Sequence, residues 1–89
     1  MSEWVHAQTR PSQQLAQLHQ FSVRAHNQDF VITVKEFAAR NEQGMRFFAQ
    51  SDKQTNQRTA PFTPCGWGET LLAALHECVT AIERFPYEG

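Results

Sequence analysis

The chain has 89 residues, of which 40% are hydrophobic and 11% aromatic, and its formal net charge is −1. A single domain of this size buries roughly 60–65% of the surface of its unfolded chain, and oligomerisation commonly adds to its stability. No apolar run is long enough to cross a bilayer and the first residues carry no export signal, so we expect a soluble cytoplasmic protein, or a nuclear one if the host has a nucleus.

Residues that could carry chemistry do not form any known pattern. The two cysteines and four histidines lack zinc-ligand spacing, and the sequence contains neither a phosphate-binding glycine loop nor a catalytic motif. We therefore expect no metal, no other cofactor, no catalytic residue and no enzymatic activity.

Charge is distributed unevenly along the chain. Residues 10–58 hold seven basic side chains against four acidic ones, whereas residues 59–89 hold one basic side chain against four acidic ones. The first part is predicted to form a sheet and the second a helix, so an anionic partner could be bound on the sheet side.

The first twenty residues divide into two parts. Residues 1–14 are polar and predict a flexible N-terminal arm, and a single domain is expected over residues 15–86. Residues 15–20 have the composition of a short helix but lead directly into a strand pattern. This segment is compatible with either a short helix or the beginning of the first strand.

Three strands are predicted from alternating apolar and polar residues. Residues 21–37 predict two strands joined by a short polar turn, and a second turn at residues 40–44 leads to a third strand. The apolar residues of all three strands should share the core side. The side chains expected together on the open side are Arg24, His26, Lys35, Arg46 and Phe48.

The residue types on this open side suit a nucleic acid without secondary structure. Cations contact the phosphates, and unpaired bases stack on aromatic rings at about 1–3 kcal/mol per base. One solvated face of an ordinary antiparallel sheet would carry a similar polar pattern, so both interpretations stay open at this point.

The remainder of the chain predicts a loop and a helix. Residues 51–59 contain no apolar side chain and predict a mobile loop, and residues 60–63 predict a short extended segment at the sheet edge. Thr63 and Pro64 have the form of a helix start, and Pro86 should end the helix. The apolar stripe expected to serve both the core and a dimer interface consists of Trp67, Leu71, Leu75, Val79 and Ile82.

Three short motifs resemble a known family. Val23-Arg24, followed after ten residues by Lys35-Glu36-Phe37, then Gly44-Met45-Arg46, and then Phe62-Thr63-Pro64-Cys65-Gly66-Trp67 occur in this order. Over residues 13–85 their order and spacing are similar to those of the positive cofactor four family of transcription coactivators, which bind single-stranded DNA. The resemblance implies a homodimer with a curved antiparallel sheet of three to four strands, one C-terminal helix, and grooves for unpaired DNA.

The resemblance also implies roles for individual residues. Phosphate contacts would come from Arg24, Lys35, Arg46 and Arg58, with Lys53 helping from the loop, and bases would stack on Phe37, Phe48 or His26. His26 stands where the family has a stacking phenylalanine, which implies weaker or altered binding. The resulting prediction is a non-enzymatic protein that binds single-stranded DNA or RNA and serves transcription or DNA metabolism.

A second resemblance covers only about fifteen residues. Gly68-Glu-Thr-Leu-Leu-Ala-Ala-Leu75, ending in Ala81-Ile82, is similar to a helix of HicB-type antitoxins, whose small α+β domain blocks a toxin protein. The alternative function is therefore a small regulator that binds a protein partner through its helix and sheet edge.

Overall fold

The computed structural model describes residues 3–10 and 12–88, and the other residues of the predicted arm, 1, 2 and 11, lie outside this part. A 3₁₀ helix (Glu3–Ala7) precedes four strands and one helix: β1 (Ala16–Ala25), β2 (Gln28–Phe37), β3 (Phe47–Ser51), β4 (Cys65–Gly68) and α1 (Leu71–Arg84). The strands form one antiparallel sheet in the order β1-β2-β3-β4. The predicted α+β class, an antiparallel sheet followed by one C-terminal helix, is confirmed.

Strands β1 and β2 form a long hairpin. Their register pairs Ala16 with Phe37 at the open end, and His26 (φ 53°) and Asn27 (φ 60°) form the turn at the other. Two successive left-handed residues are typical of a tight turn whose twist matches that of the strands. Residues 16–20 belong to β1, because β2 supplies a complete row of partners that outweighs their modest helix propensity.

The core lies between α1 and one face of the sheet. Buried residues alternate with more exposed ones along β2, and the buried set faces the helix. The fully buried apolar residues are Phe30, Ile32, Val34 and Ala49 from the sheet, and Ala74, Cys78 and Ile82 from the helix. Leu71, Leu75 and Val79 are half-buried and pack against this core.

The predicted helix start at residues 63–64 is wrong. Cys65–Gly68 forms β4, and α1 begins at Leu71 after Thr70, whose hydroxyl oxygen accepts a hydrogen bond in the first helical turn. Trp67 therefore lies on a strand, and its predicted place in the apolar stripe of the helix is wrong.

Two glycines of β4 explain how the helix packs so closely on this strand. A Cβ atom on Gly66 would lie 2.4 Å from Cβ of Glu77 and 2.7 Å from the carbonyl oxygen of Ala74. On Gly68 a Cβ atom would lie 2.6 Å from the backbone nitrogen of Ala74. Any larger residue at either position would push α1 away from the sheet.

The C-terminal end of α1 contacts the hairpin turn. The helix ends at Arg84, and Pro86 has no N–H group to donate to the carbonyl oxygen of Ile82. Nε2 of His26 lies 3.1 Å from this oxygen and donates the missing hydrogen bond. The imidazole thus connects the hairpin to the helix on the core side of the sheet.

The polar loop between β3 and β4 contacts the C-terminal residues. Thr55 is fully buried and pairs with Phe62 in an isolated bridge. The backbone N–H of Asn56 donates to the carbonyl oxygen of Pro86 at 2.7 Å. The backbone N–H of Glu88 donates to Oε1 of Gln57 at 2.9 Å. Polar groups of this loop are therefore satisfied by the segment that follows α1.

Candidate nucleic-acid interface

The face of the sheet opposite α1, here called the open face, carries a row of side chains across all four strands. The register aligns Leu18, Lys35, Phe48 and Trp67 on neighbouring strands. Leu18 is 59% exposed and Trp67 is 45% exposed. The open face is therefore more apolar than the sequence predicted.

Three rings on this face form what we call the aromatic cluster: Phe37, Phe48 and Trp67. The ring centroids of Phe48 and Trp67 are 4.7 Å apart with their planes at 42°, and those of Phe37 and Trp67 are 6.1 Å apart at 18°. Such separations give favourable ring–ring contacts. The two phenylalanines hold the indole against the sheet while part of its surface stays open to solvent.

Sequence reasoning did not place Trp67 or Leu18 on the open face. The signal was present in Cys65-Gly66-Trp67-Gly68, where glycines alternate with larger residues at the period of a strand. Because Trp67 also lies four residues before Leu71, it fits the helical stripe by coincidence.

Lys35 is the predicted cation that the structure places beside the aromatic cluster. It is exposed and lies between Leu18 on β1 and Phe48 on β3. Within residues 3–10 and 12–88 no salt bridge involves its ammonium group. A phosphate could therefore approach it without displacing a carboxylate.

Arg24 and Lys53 lie at the turn end of the hairpin. Nη1 of Arg24 is 3.1 Å from Oδ1 of Asp29, and both side chains are about two-thirds exposed. Nζ of Lys53 donates to the carbonyl oxygen of Asp29 at 2.5 Å and lies 3.4 Å from Oδ2 of Asp52. Arg24 is about 20 Å along the strand from the Lys35 row, since Arg24 lies six positions after Leu18. Arg24 and Asp29 thus give this end of the open face mixed charge, whereas Nζ of Lys53 lies 5.8 Å from the ring centroid of the core residue Phe30 and not beside the aromatic cluster.

The sequence predicted Arg46 and His26 on the open face, but the structure places both elsewhere. Nη2 of Arg46 lies 3.6 Å from Oε2 of Glu36, and only 16% of the arginine side chain is exposed. Oε1 of the same glutamate lies 3.0 Å from Nε2 of His19. Glu36 and His19 belong to the helix side of the register, and His26 contacts α1.

Arg58 is exposed in the loop after β3, and its backbone N–H donates to Oε2 of Glu88. It therefore lies beside the C-terminal segment. Of the eight predicted nucleic-acid contacts, the ones that the structure brings together are Lys35, Phe37 and Phe48.

A groove of about 250 Å³, here called the amide groove, lies beside the aromatic cluster. Its walls come from the N-terminal arm and from the turn between β2 and β3, which no sequence pattern relates to each other. The lining residues are Gln8, Gln13, Gln14, Leu15, Phe37, Ala39, Arg40, Asn41 and Trp67.

The two cysteines lie in different environments. Cys65 is exposed, whereas Cys78 is buried with Sγ 3.4 Å from the carbonyl oxygen of Pro64. Burial, and to a lesser extent the nearby Cys65, raises the pKa of the Cys78 thiol to about 12. In the described part of the chain, no three His, Cys, Asp or Glu side chains are grouped so that they could hold a metal ion.

No helix in residues 3–10 and 12–88 has the length and apolar character needed to span a membrane.

Comparisons of the chain with protein-family models, with curated proteins and with solved structures found no match.

Proposed function

We propose that this chain is a non-enzymatic protein that binds single-stranded DNA or RNA on the open face of its sheet. The observation that carries this proposal is the aromatic cluster, whose central Trp67 is 45% exposed. A nucleobase gains about 1–3 kcal/mol by stacking on such a ring, and every base has a face that can do so.

The geometry favours single strands over duplexes. A ring that lies on a sheet reaches the face of a base only when that base has left its stack. Lys35 lies in the same row as the rings and can contact a phosphate next to a stacked base. Single strands supply both groups together, and sequence preference from these contacts alone is small.

The contributions of the predicted cations differ from those expected from sequence. Lys35 is the main phosphate contact in this proposal. At Arg24 a phosphate would have to compete with the carboxylate of Asp29 for the guanidinium group. Arg46 stabilises the fold through Glu36 and contributes little to binding.

The test is fluorescence anisotropy of a labelled 20-mer single strand and its duplex at two salt concentrations. Trp67→Ala should weaken single-strand binding by about 5- to 100-fold, because one stacked base is lost. Lys35→Ala should weaken binding to all sequences and reduce the logarithmic salt slope by about 0.7, the contribution of one phosphate contact.

The matched control is Leu72→Ala. Leu72 is 73% exposed on α1, on the opposite side of the sheet from the aromatic cluster, so this variant should bind like the parent. Equal affinity of the parent for duplex and single strand, or unchanged binding by Trp67→Ala, would contradict the proposal.

A protein partner is the second candidate function, and one observation favours it. Leu18 and Val31, 59% and 38% exposed, add apolar surface to the open face that a phosphate backbone would not use. An antitoxin-like regulator would present such a surface to another protein. If no single strand binds at low salt, Leu18→Glu and Val31→Glu should abolish partner capture without unfolding the chain.

Homodimerisation also remains a proposal. The helix stripe predicted to form the interface packs largely against the chain's own sheet. Sedimentation of the parent and of Leu72→Glu, which adds charge to the outer surface of α1, would show whether the helix joins two copies.

A further inference from the structure

Two aromatic rings line one side of the amide groove. The ring centroids of Trp67 and Phe37 are 6.1 Å apart and their planes differ by 18°. A planar group that stacks on one of these rings would meet the side chains of the N-terminal arm and of the turn after β2 at its edge. The chemistry of those side chains decides which planar groups are accepted.

The orientation of the Asn41 amide is fixed by its own turn. Its Oδ1 accepts hydrogen bonds from the backbone N–H groups of Gln43 at 3.0 Å and Met45 at 2.9 Å. Since a backbone N–H can only donate, the atom that accepts must be the oxygen. The Nδ2 group of Asn41 is therefore the end that is not engaged within residues 3–10 and 12–88.

The two arm glutamines are oriented in the same way. Oε1 of Gln13 accepts from the backbone N–H groups of Thr9 at 2.9 Å and Arg10 at 3.3 Å. Oε1 of Gln8 accepts from the backbone N–H of Leu15 at 3.2 Å. Both side chains line the groove, and in the described part of the chain their Nε2 groups make no hydrogen bond.

Arg40 adds further donors to the same rim. Its Nη1 donates to the carbonyl oxygen of Gly44 at 2.9 Å, which leaves most of the five N–H donors of the guanidinium available. The groove thus combines aromatic rings with the amides of Gln8, Gln13 and Asn41, whose oxygens are occupied and whose N–H groups are not. The Gln14 amide also lines the groove, and neither of its ends makes a hydrogen bond within residues 3–10 and 12–88.

We infer that the amide groove holds one unstacked nucleobase of the bound strand and selects bases with a carbonyl oxygen at pyrimidine position 4 or purine position 6. Uracil and thymine carry O4 and guanine carries O6, whereas cytosine and adenine carry at these positions an amino group that would face donors. This inference rests on the proposed single-strand binding and adds a base preference to it.

The experiment compares two pyrimidine strands that differ at the base edge. Labelled dU20 and dC20 share their backbone and stack on rings in a similar way, but position 4 is a carbonyl in uracil and an amino group in cytosine. We expect the parent to bind dU20 about fivefold or more tightly than dC20, the lower range for a matched pair of base contacts.

Isosteric variants test the rim directly. Asn41→Asp and Gln13→Glu keep the oxygen that accepts from the backbone and replace the amino end with a second oxygen. The ratio of affinities for dU20 and dC20 should fall to about one or reverse. The matched control is Gln50→Glu, which adds the same charge to the open face but does not line the groove, and its ratio should equal that of the parent.

The possible outcomes separate the base preference from the proposed single-strand binding. Binding of both strands with equal affinity by the parent would overturn the base preference and leave the proposed function standing. Absence of binding to either strand at low salt would overturn both. An equal loss of preference in Asn41→Asp and in the Gln50→Glu control would also overturn the base preference, because charge alone would then explain it.

Discussion

Both faces of the sheet carry apolar residues, but only those on the helix side are fully buried. On the helix side Phe30, Ile32 and Val34 have no exposed surface at all. On the open face, Trp67 is 45% and Val31 38% exposed. Burial by α1, and not residue type, separates the two sets. Apolar residues that the fold leaves uncovered are available for recognition.

The largest expected effect on stability comes from a substitution that displaces α1 from the sheet. Gly66→Val places a side chain where Cβ would lie 2.4 Å from Cβ of Glu77, so α1 must shift and the core must open. We expect the variant to lose about 4 kcal/mol or more of unfolding free energy, at the upper end for overpacked sites, or to fail to fold. Urea unfolding followed by circular dichroism measures this.

The neighbouring Cys65 provides the control for that experiment. It is exposed on the other face of β4, and Cys65→Ala should change the unfolding free energy by less than about 0.5 kcal/mol. A Gly66→Val variant as stable as Cys65→Ala would mean that α1 does not pack on β4 in solution.

Two adjacent β-branched residues of β2 allow the faces to be compared directly. Ile32 is fully buried, and Ile32→Ala should cost about 2–5 kcal/mol through lost contacts and a cavity. Val31→Ala should cost under about 1 kcal/mol, because the side chain is already 38% exposed. Thermal unfolding of the two variants would contradict the assignment of faces if their melting temperatures fell equally.

A further prediction concerns pH and the buried thiol. Burial raises the pKa of Cys78 to about 12, above the usual value of about 8.5 in an unfolded chain. The unfolded chain therefore loses its proton first as pH rises, and the associated stability is present below about pH 8.5 and lost above it. Between pH 8 and pH 10 the parent should lose about 1–2 kcal/mol more than Cys78→Ala.

Urea unfolding of both proteins at pH 8 and pH 10 measures this difference. Lysines and the tyrosine titrate in both proteins, so the Cys78→Ala variant corrects for their contribution. Parallel pH dependence in the two proteins would show that the Cys78 thiol is not protected from solvent.

The hairpin and the third strand could be predicted because their alternation has a period of two over several residues. The fourth strand could not, because it has only four residues and two of them are glycines. Thr63 and Pro64 carry a local helix-start signal that competes with Thr70, and only tertiary packing against Ala74 and Glu77 decides between them.

The candidate site was less predictable than the fold. Strand alternation correctly placed Lys35 and Phe48 on the open face, but Arg46 lies outside the regular part of β3 and turns toward Glu36. The amide groove depends on the arm lying beside the turn after β2, a contact between segments that are about 30 residues apart. Sequence periodicity holds no information about such a contact.

The hydrogen bond between His26 and the carbonyl oxygen of Ile82 has a consequence for the order of folding. Each strand pairs with its neighbour in the chain, so the sheet can assemble through short loop closures, whereas this bond joins residues 56 positions apart. We expect it to form after the transition state, so that its loss accelerates unfolding and leaves the folding rate almost unchanged. The imidazole would then lengthen the lifetime of the native state by slowing its unfolding.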